Sequence, residues 1–284
     1  MDIRINGQAA DVTIDHEKTV GEIMAGLQEW LAGMGHRLSG LSIDGQTADP
    51  SSLEEFFLRE IKNIKVLDIF TSSLAQLYAE SLLNLLDDIK EYKSLDHNGK
   101  NNYLNNWKEK PEALFAFEQM QDLYNFFENM FSIGNFDADT VYAITEERLR
   151  EVKDPLSEFT KMESLVKETC TLLIDLPLDI QTGKDSRAAQ TIQIFSGIAE
   201  KVLRILWQLD IQGYLLIKTD DEKSFTKIVG EFGELVKQLL DAYERNDTVL
   251  VGDIAEYEAS PRLQELYTDI LKNSRQPSAA QGKQ

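Results

Sequence analysis

The chain has 284 residues, 42% hydrophobic and 27% charged, enough apolar material for one large domain or two ordinary ones. Its formal charge of −20 repels nucleic-acid phosphates and anionic lipid headgroups, so neither nucleic acid nor a membrane is an expected partner. One cysteine, Cys170, excludes an intramolecular disulfide and fits a reducing compartment, and no apolar run approaches the roughly 18 residues of a membrane span.

The opening residues, Met1 to Gly7, alternate charged and apolar side chains and lack the apolar stretch of a signal peptide, so a cytoplasmic protein is expected. Ile3 and Ile5 alternate with polar neighbours, and Asn6-Gly7 signals a hairpin into a second strand carrying Val12 and Ile14. Thr19-Val20-Gly21-Glu22 is a capping box, followed at helical spacing by Ile23, Met24, Leu27 and Leu31. Gly33-Met34-Gly35 stops that helix. Leu38, Leu41 and Ile43 predict a third strand, closed by Asp44-Gly45. Ser51-x-x-Glu54 caps a short helical piece with Leu53, Phe56 and Phe57, and a last strand runs from Ile64 through Val66 to Phe70.

Hairpin, helix, strand, short helix, strand is an order that resembles the ubiquitin-like β-grasp fold over residues 1–71, as does the Thr-Val-x-Glu helix start. The resemblance implies one sheet wrapped around a diagonal helix and a small docking module. A conjugated modifier of that family ends in a free Gly-Gly tail. Here Thr71-Ser72-Ser73 runs directly into a helix, so a modifier role is not expected.

From Ser73 onward the periodicity is almost wholly helical, and the fold class expected is α+β: a β-grasp domain (1–71), an antiparallel helical bundle (73–272) and a disordered tail (273–284). Ser73-x-x-Gln76 caps a helix whose stripe is Leu74, Tyr78, Leu82, Leu85, Ile89 and Tyr92. The polar run His97 to Asn102 reads as a loop. Pro111 opens a second helix with Phe117, Met120, Tyr124, Phe127 and Phe131 on one seam, ended by Ser132-Ile133-Gly134-Asn135. A third runs from about Asp139 to Lys153. Asp154-Pro155 starts a fourth with Phe159, Met162, Val166, Thr169 and Leu173, which Pro177 ends.

Thr182-Gly183-Lys184-Asp185 then precedes the helix expected at the centre of the bundle. Ala188, Ile192, Phe195, Ala199, Val202, Leu206 and Leu209 recur at steps of four and three, and Ile198, Leu203 and Ile205 widen the stripe. Gly213 punctuates its far end, and Thr219-x-x-Glu222 caps a helix bearing Phe225, Val229, Phe232, Val236, Leu239 and Tyr243. After Asn246-Asp247, the segment 249–252 leads into a final helix kinked or restarted at Ser260-Pro261, burying Leu263, Leu266, Tyr267 and Ile270.

Motifs for chemistry fail one by one. Gly183-Lys184 before a helix suggests a P-loop, but Leu178 stands where the first Gly belongs and Asp185 where the hydroxyl belongs, leaving Asp185 as a helix cap. Gly40-Leu41-Ser42-Ile43-Asp44 misses a nucleophile elbow because its second Gly, Gly45, comes one residue late. Around Asp96, Asn98 and Gly99 a calcium loop would need carboxylates at Ser94 and Asn105. His16, His36 and His97 are mutually unspaced for a metal, and Cys170 reads as a buried thiol. No catalytic residue, metal or cofactor is expected.

Two stretches remain for binding. The second helix carries Phe115, Phe126 and Met130 beside its seam, a broad surface able to accept an amphipathic helix. In 252–258, Tyr257 lies among Asp253, Glu256 and Glu258, a patch suited to a basic partner. That passage also resembles the endings of uncharacterised bacterial helical proteins, which implies no activity. The expectation is a non-catalytic adaptor or chaperone-like protein that binds another protein. The alternatives are an enzyme or small-molecule binder with an inter-helix pocket, and a homo-oligomer paired through a seam such as 188–209.

Overall fold

The computed structural model describes residues 1–275 except 11, 13, 15, 34, 49–52, 134–136 and 216–224. The expected cap residues Ser51 and Thr219, and the tail from 276, lie outside the described residues. The chain divides into two compact units, Met1–Ser81 and Leu82–Gln284. The fold is α+β, a mixed sheet followed by a mostly helical remainder.

In the first unit, strand β1 (Asp2–Ile5) turns through Asn6 and Gly7, at φ of 50° and 80°, into β2 (Gln8–Ala9). The positive φ at both positions matches the right-handed strand twist, as a two-residue hairpin requires. Helix α1 (Val20–Gly33) follows, then β3 (His36–Ile43), β4 (Gln46–Thr47), the short α2 (Leu53–Phe57) and β5 (Val66–Ser73). The sheet order is β2-β1-β5-β3-β4, with β1 parallel to β5 and the other pairs antiparallel. Two side chains lock the turns to the centre of the sheet. Asn6 Oδ1 accepts the Thr71 N–H at 2.9 Å, and Asp44 Oδ1 accepts the N–H groups of Lys65 and Val66 at 2.9 and 2.8 Å.

One face of the sheet meets α1. Ile3, Leu41, Ile43, Leu67 and Ile69 are buried with Val20, Ile23, Met24 and Leu27, each large side chain worth about 1.5–3 kcal/mol of burial. Thr19 Oγ1 accepts the Glu22 N–H at 3.3 Å, while the Glu22 carboxylate accepts from Lys18 at 2.5 Å, one residue before the expected donor. Val12 and Ile14 do not form the second strand. They lie outside any strand and pack half-buried on this core, which explains their apolar alternation.

Helix α3 (Leu74–Ser94) opens with a reciprocal box: Gln76 N–H to Ser73 Oγ at 3.1 Å, and Ser73 N–H to Gln76 Oε1 at 2.8 Å. The division between the units falls within α3. The polar run after it is helix α4 (His97–Trp107), not a loop. Asp96 caps it by accepting the Gly99 N–H at 2.8 Å, and Tyr103 and Trp107, one turn apart, are both buried. Two aromatic anchors and a cap outweigh five polar residues of indifferent propensity.

The second expected helix is two. Helix α5 (Pro111–Gln119) breaks at Met120, and α6 (Gln121–Ile133) continues. Trp107 stacks on Phe127 and Tyr124 at ring-centroid distances of 5.5 and 5.2 Å, and Phe131 meets its edge at 5.1 Å. Phe117, assigned to the seam, is instead exposed, because the break at Met120 takes α5 off the α6 period. Helix α7 (Ala138–Lys153) precedes α8 (Pro155–Thr160), where Asp154 accepts the Ser157 N–H at 3.1 Å.

Helix α9 (Glu163–Gln181) runs through Pro177 rather than ending at it. The ring removes one intrahelical bond, but Val166, Cys170, Leu173 and Leu176 are buried along the same helix and hold it in register. Helix α10 (Asp185–Ile211) buries Ala188, Ile192, Phe195, Ala199, Val202, Ile205, Leu206 and Leu209, as its period predicts. Helix α9 and α11 (Phe225–Glu244) pack against it, with Phe195 meeting Phe232 edge-on, and the final helical segment packs on α9 and α11.

That last segment is continuous: α12 (Thr248–Asp253), a π-helical turn (Ile254–Ala259), and α13 (Ser260–Asn273). After α13, Ser274 bridges to Leu215 and the Arg275 N–H reaches the Tyr214 carbonyl at 2.9 Å, so residues 273–275, expected in the disordered tail, are held. Among the described residues, no helix is long and apolar enough to cross a membrane.

Candidate functional site

The site begins with a proline. Pro261, at the start of α13, has no N–H to give its own turn, and the Ser260 N–H bonds the Ala255 carbonyl, five residues back. A π-turn of this kind inserts an extra residue into a helix, and such turns recur at functional sites. Its inner face, Ile254, Ala255 and Ala259, is buried, and beneath it Ser260 and Cys170 exchange bonds: Ser260 Oγ to the Cys170 carbonyl at 3.1 Å, Cys170 Sγ to the Ser260 carbonyl at 3.4 Å. Burial pushes the Cys170 thiol up, away from the reactive thiolate.

The outer face carries Tyr257, 67% exposed. Its ring and Glu258 border a groove of about 540 Å³ between the π-turn, α13 and α11. Glu231, Glu234 and Glu265 complete an acidic lining, Leu235 and Pro261 supply apolar floor, and Arg262 is its single cation among the described residues. Arg262 is tied to Glu231 at 2.5 Å and to Glu265 at 3.2 Å. Glu256, and more weakly Asp253, raise the Tyr257 hydroxyl above its ordinary range. The groove can therefore offer a cation both carboxylates and a π face.

The sequence candidates divide. Tyr257 and Glu258 line the groove, and the exposed Asp253 and half-buried Glu256 act on Tyr257 from beside it. Met130 is no surface residue: it is 1% exposed, because the helix-wide apolar surface of α6 is enclosed on that side. Phe115 and Phe126 are half-buried on α5 and α6. Sequence reasoning missed Glu231, Glu234, Arg262 and Glu265. Their i, i+3 spacings on α11 and α13 were legible, but the pairing of those two helices was not.

Other charged clusters are internally satisfied. Asp88, buried on α3, accepts from Trp107 Nε1 at 3.0 Å and Lys110 Nζ at 2.6 Å, and Tyr103 and Lys110 both reach Glu91. Burial raises the Asp88 carboxyl, with Lys110 pulling the other way, and the hydrogen bonds that Lys110 donates to Asp88 and Glu91 keep it charged despite its own burial.

Asp179 explains the Gly183-Lys184 turn. Its buried carboxylate meets Lys184 Nζ at 3.1 Å and Arg187 Nε at 2.9 Å. Arg187 lies off the line a hydrogen bond needs, so Asp179 Oδ2 is ion-paired without being hydrogen-bonded. Lys184 and Arg187, at the start of α10, are thus occupied by a carboxylate of the chain itself. Asp185 does not cap α10: it lies in the first turn, and the cap residue is Lys184, whose side chain makes no capping hydrogen bond. Among the described residues, no three His, Cys, Asp or Glu side chains are grouped to hold a metal ion.

Two stretches of the chain match family models. Residues 1–73, the sheet through its last strand, match the family described as the TP0873 N-terminal domain. Residues 158–269, which include every groove residue, match a domain of unknown function, DUF8042. An uncharacterised protein of Treponema pallidum (strain Nichols) is 21% identical over 274 residues, spanning 95% of this chain and 96% of that protein. The chain is similar to it from one unit through the other. No solved structure matches the chain.

Proposed function

We propose that the chain is a non-catalytic cytoplasmic adaptor whose helical unit binds a basic segment of another protein. The exposed Tyr257 ring, set in a groove with four glutamates, is the observation that carries this reading. A net charge of −20 supports it by steering cations and turning away nucleic acid and anionic membranes. The sheet unit is read as a ubiquitin-like β-grasp module. Its support is the strand order, with β1 parallel to β5, and the helix that follows the first hairpin. Continuation through the Ser73 box into α3 argues for a built-in docking module over a conjugated modifier.

A lysine- and arginine-rich fluorescent peptide titrated into the full chain tests the reading. Anisotropy should report binding that weakens as salt rises, and Tyr257→Ala and Glu234→Gln should each weaken it roughly fivefold. No binding, or binding indifferent to Tyr257→Ala, overturns it. The groove volume also falls within the roughly 300–1,000 Å³ of small-molecule sites, which supports the small-molecule alternative. Its mostly carboxylate lining favours the peptide. Native mass spectrometry of the purified protein separates the two by the presence of a retained metabolite.

A further inference from the structure

We infer that Arg262 is an internal occupant of the groove, and that an arginine guanidinium of the partner takes its place. This rests on the basic-segment reading above. Arg262 spans the groove, with Nη2 at 2.5 Å from Glu231 of α11 and Nη1 at 3.2 Å from Glu265 of its own helix. The two carboxylates therefore already hold a guanidinium, one terminal nitrogen each. A planar fork can bridge acceptors in that way, whereas a lysine ammonium offers a single point of charge.

Among the described residues, no lysine or arginine pairs with Glu234 or Glu258, the other carboxylates of the groove. These two, with the Tyr257 face, attract the incoming cation. Arg262 then opposes its entry by like charge and by occupying Glu231 and Glu265. Its side chain is about one-third exposed and those of its partners about half, so water can solvate the arginine once it is displaced. Arg262 thus sets the threshold for binding and biases the anchor toward arginine.

Fluorescein-labelled hexa-arginine and hexalysine, titrated separately into the full chain, give the test. Arg262→Gln should bind hexa-arginine roughly five- to tenfold tighter than wild type and gain clearly less for hexalysine. Arg262→Lys, which keeps the charge and loses the fork, should fall between. Thermal melts of both variants check that the fold is intact. Suppose wild type binds, Tyr257→Ala weakens it, and yet Arg262→Gln binds no tighter: Arg262 is then not a competitor, while the basic-segment reading stands. Equal gains for the two peptides overturn guanidinium replacement. If neither wild type nor Arg262→Gln binds either peptide, both readings fall together.

Discussion

Arg148 on α7 is nearly buried, and a guanidinium there needs a carboxylate close by. Asp122 on α6 supplies it, donated to by Arg148 Nη2, and the pair joins two helices. Burial alone would raise the Asp122 carboxyl, but attraction and hydrogen bonding from Arg148 outweigh it and hold the group below its ordinary 3.8. A carboxyl depressed on folding stabilises above its unfolded value, and that contribution is lost as pH falls through the lower folded value. Asp122→Asn should therefore cost about 1–2 kcal/mol at pH 7, allowing for the half-exposed carboxylate. The variant and wild type should converge in strong acid. Urea unfolding across the acid range checks this, and a gap that does not close would show that the charge is not the cause. Glu151, buried on the same helix, accepts from Arg204 Nε and Nη2 at 3.2 and 3.1 Å. In the sequence both acids are ordinary members of an acidic chain. Their role comes from partners 26 and 53 positions away, which no local spacing encodes.

Elements were legible where one face carries a period. The α10 stripe could be read from Ala188 to Leu209 because every apolar position on it is covered, and the Ser73–Gln76 box because it closes within one turn. Prolines and polar runs misled, since tertiary packing decides their effect. Helix α4 survives on Asp96, Tyr103 and Trp107, and α9 passes through Pro177 because Val166, Cys170, Leu173 and Leu176 bury one face of it. The groove was half legible. Tyr257 and its flanking acids stand together in sequence, whereas Glu231 and Glu234 reach them only through the packing of α11 on the π-turn. A close approach lies nearby, between α12 and α9. A Cβ at Gly252 would lie 3.3 Å from Cβ and 3.5 Å from Cγ of Pro177, tight but not forbidden. Gly252→Ala gains about 1 kcal/mol of helix propensity and gives most of it back in crowding, for a change near zero. Gly252→Leu has nowhere to put its branch and should cost about 2–3 kcal/mol. Chemical denaturation ranks the three, and a leucine variant as stable as wild type would mean that α9 and α12 stand further apart.

At the scale of the whole molecule, the chain builds two compact units, each around buried side chains of its own. Leu67 and Ala199, both fully buried, probe them separately. Leu67 lies at the centre of the sheet, so Leu67→Ala leaves a cavity costing about 2–5 kcal/mol, charged to the first unit. Ala199 sits midway along α10, where an aspartate would be a carboxylate without a partner among Phe195, Val202 and Leu206. A buried charge of that kind costs several kcal/mol, a large share of a domain's stability, and Ala199→Asp should unfold the second unit. Hydrogen exchange read by mass spectrometry can follow both units at once. In Ala199→Asp, peptides from α9, α10 and α13 should lose protection while those from β3 and β5 keep it, and in Leu67→Ala the weakening should stay in the sheet. Uniform loss of protection from either substitution would mean that the two cores unfold as one cooperative structure. A β strand that stays protected while α10 exchanges freely would show that the sheet folds on its own core.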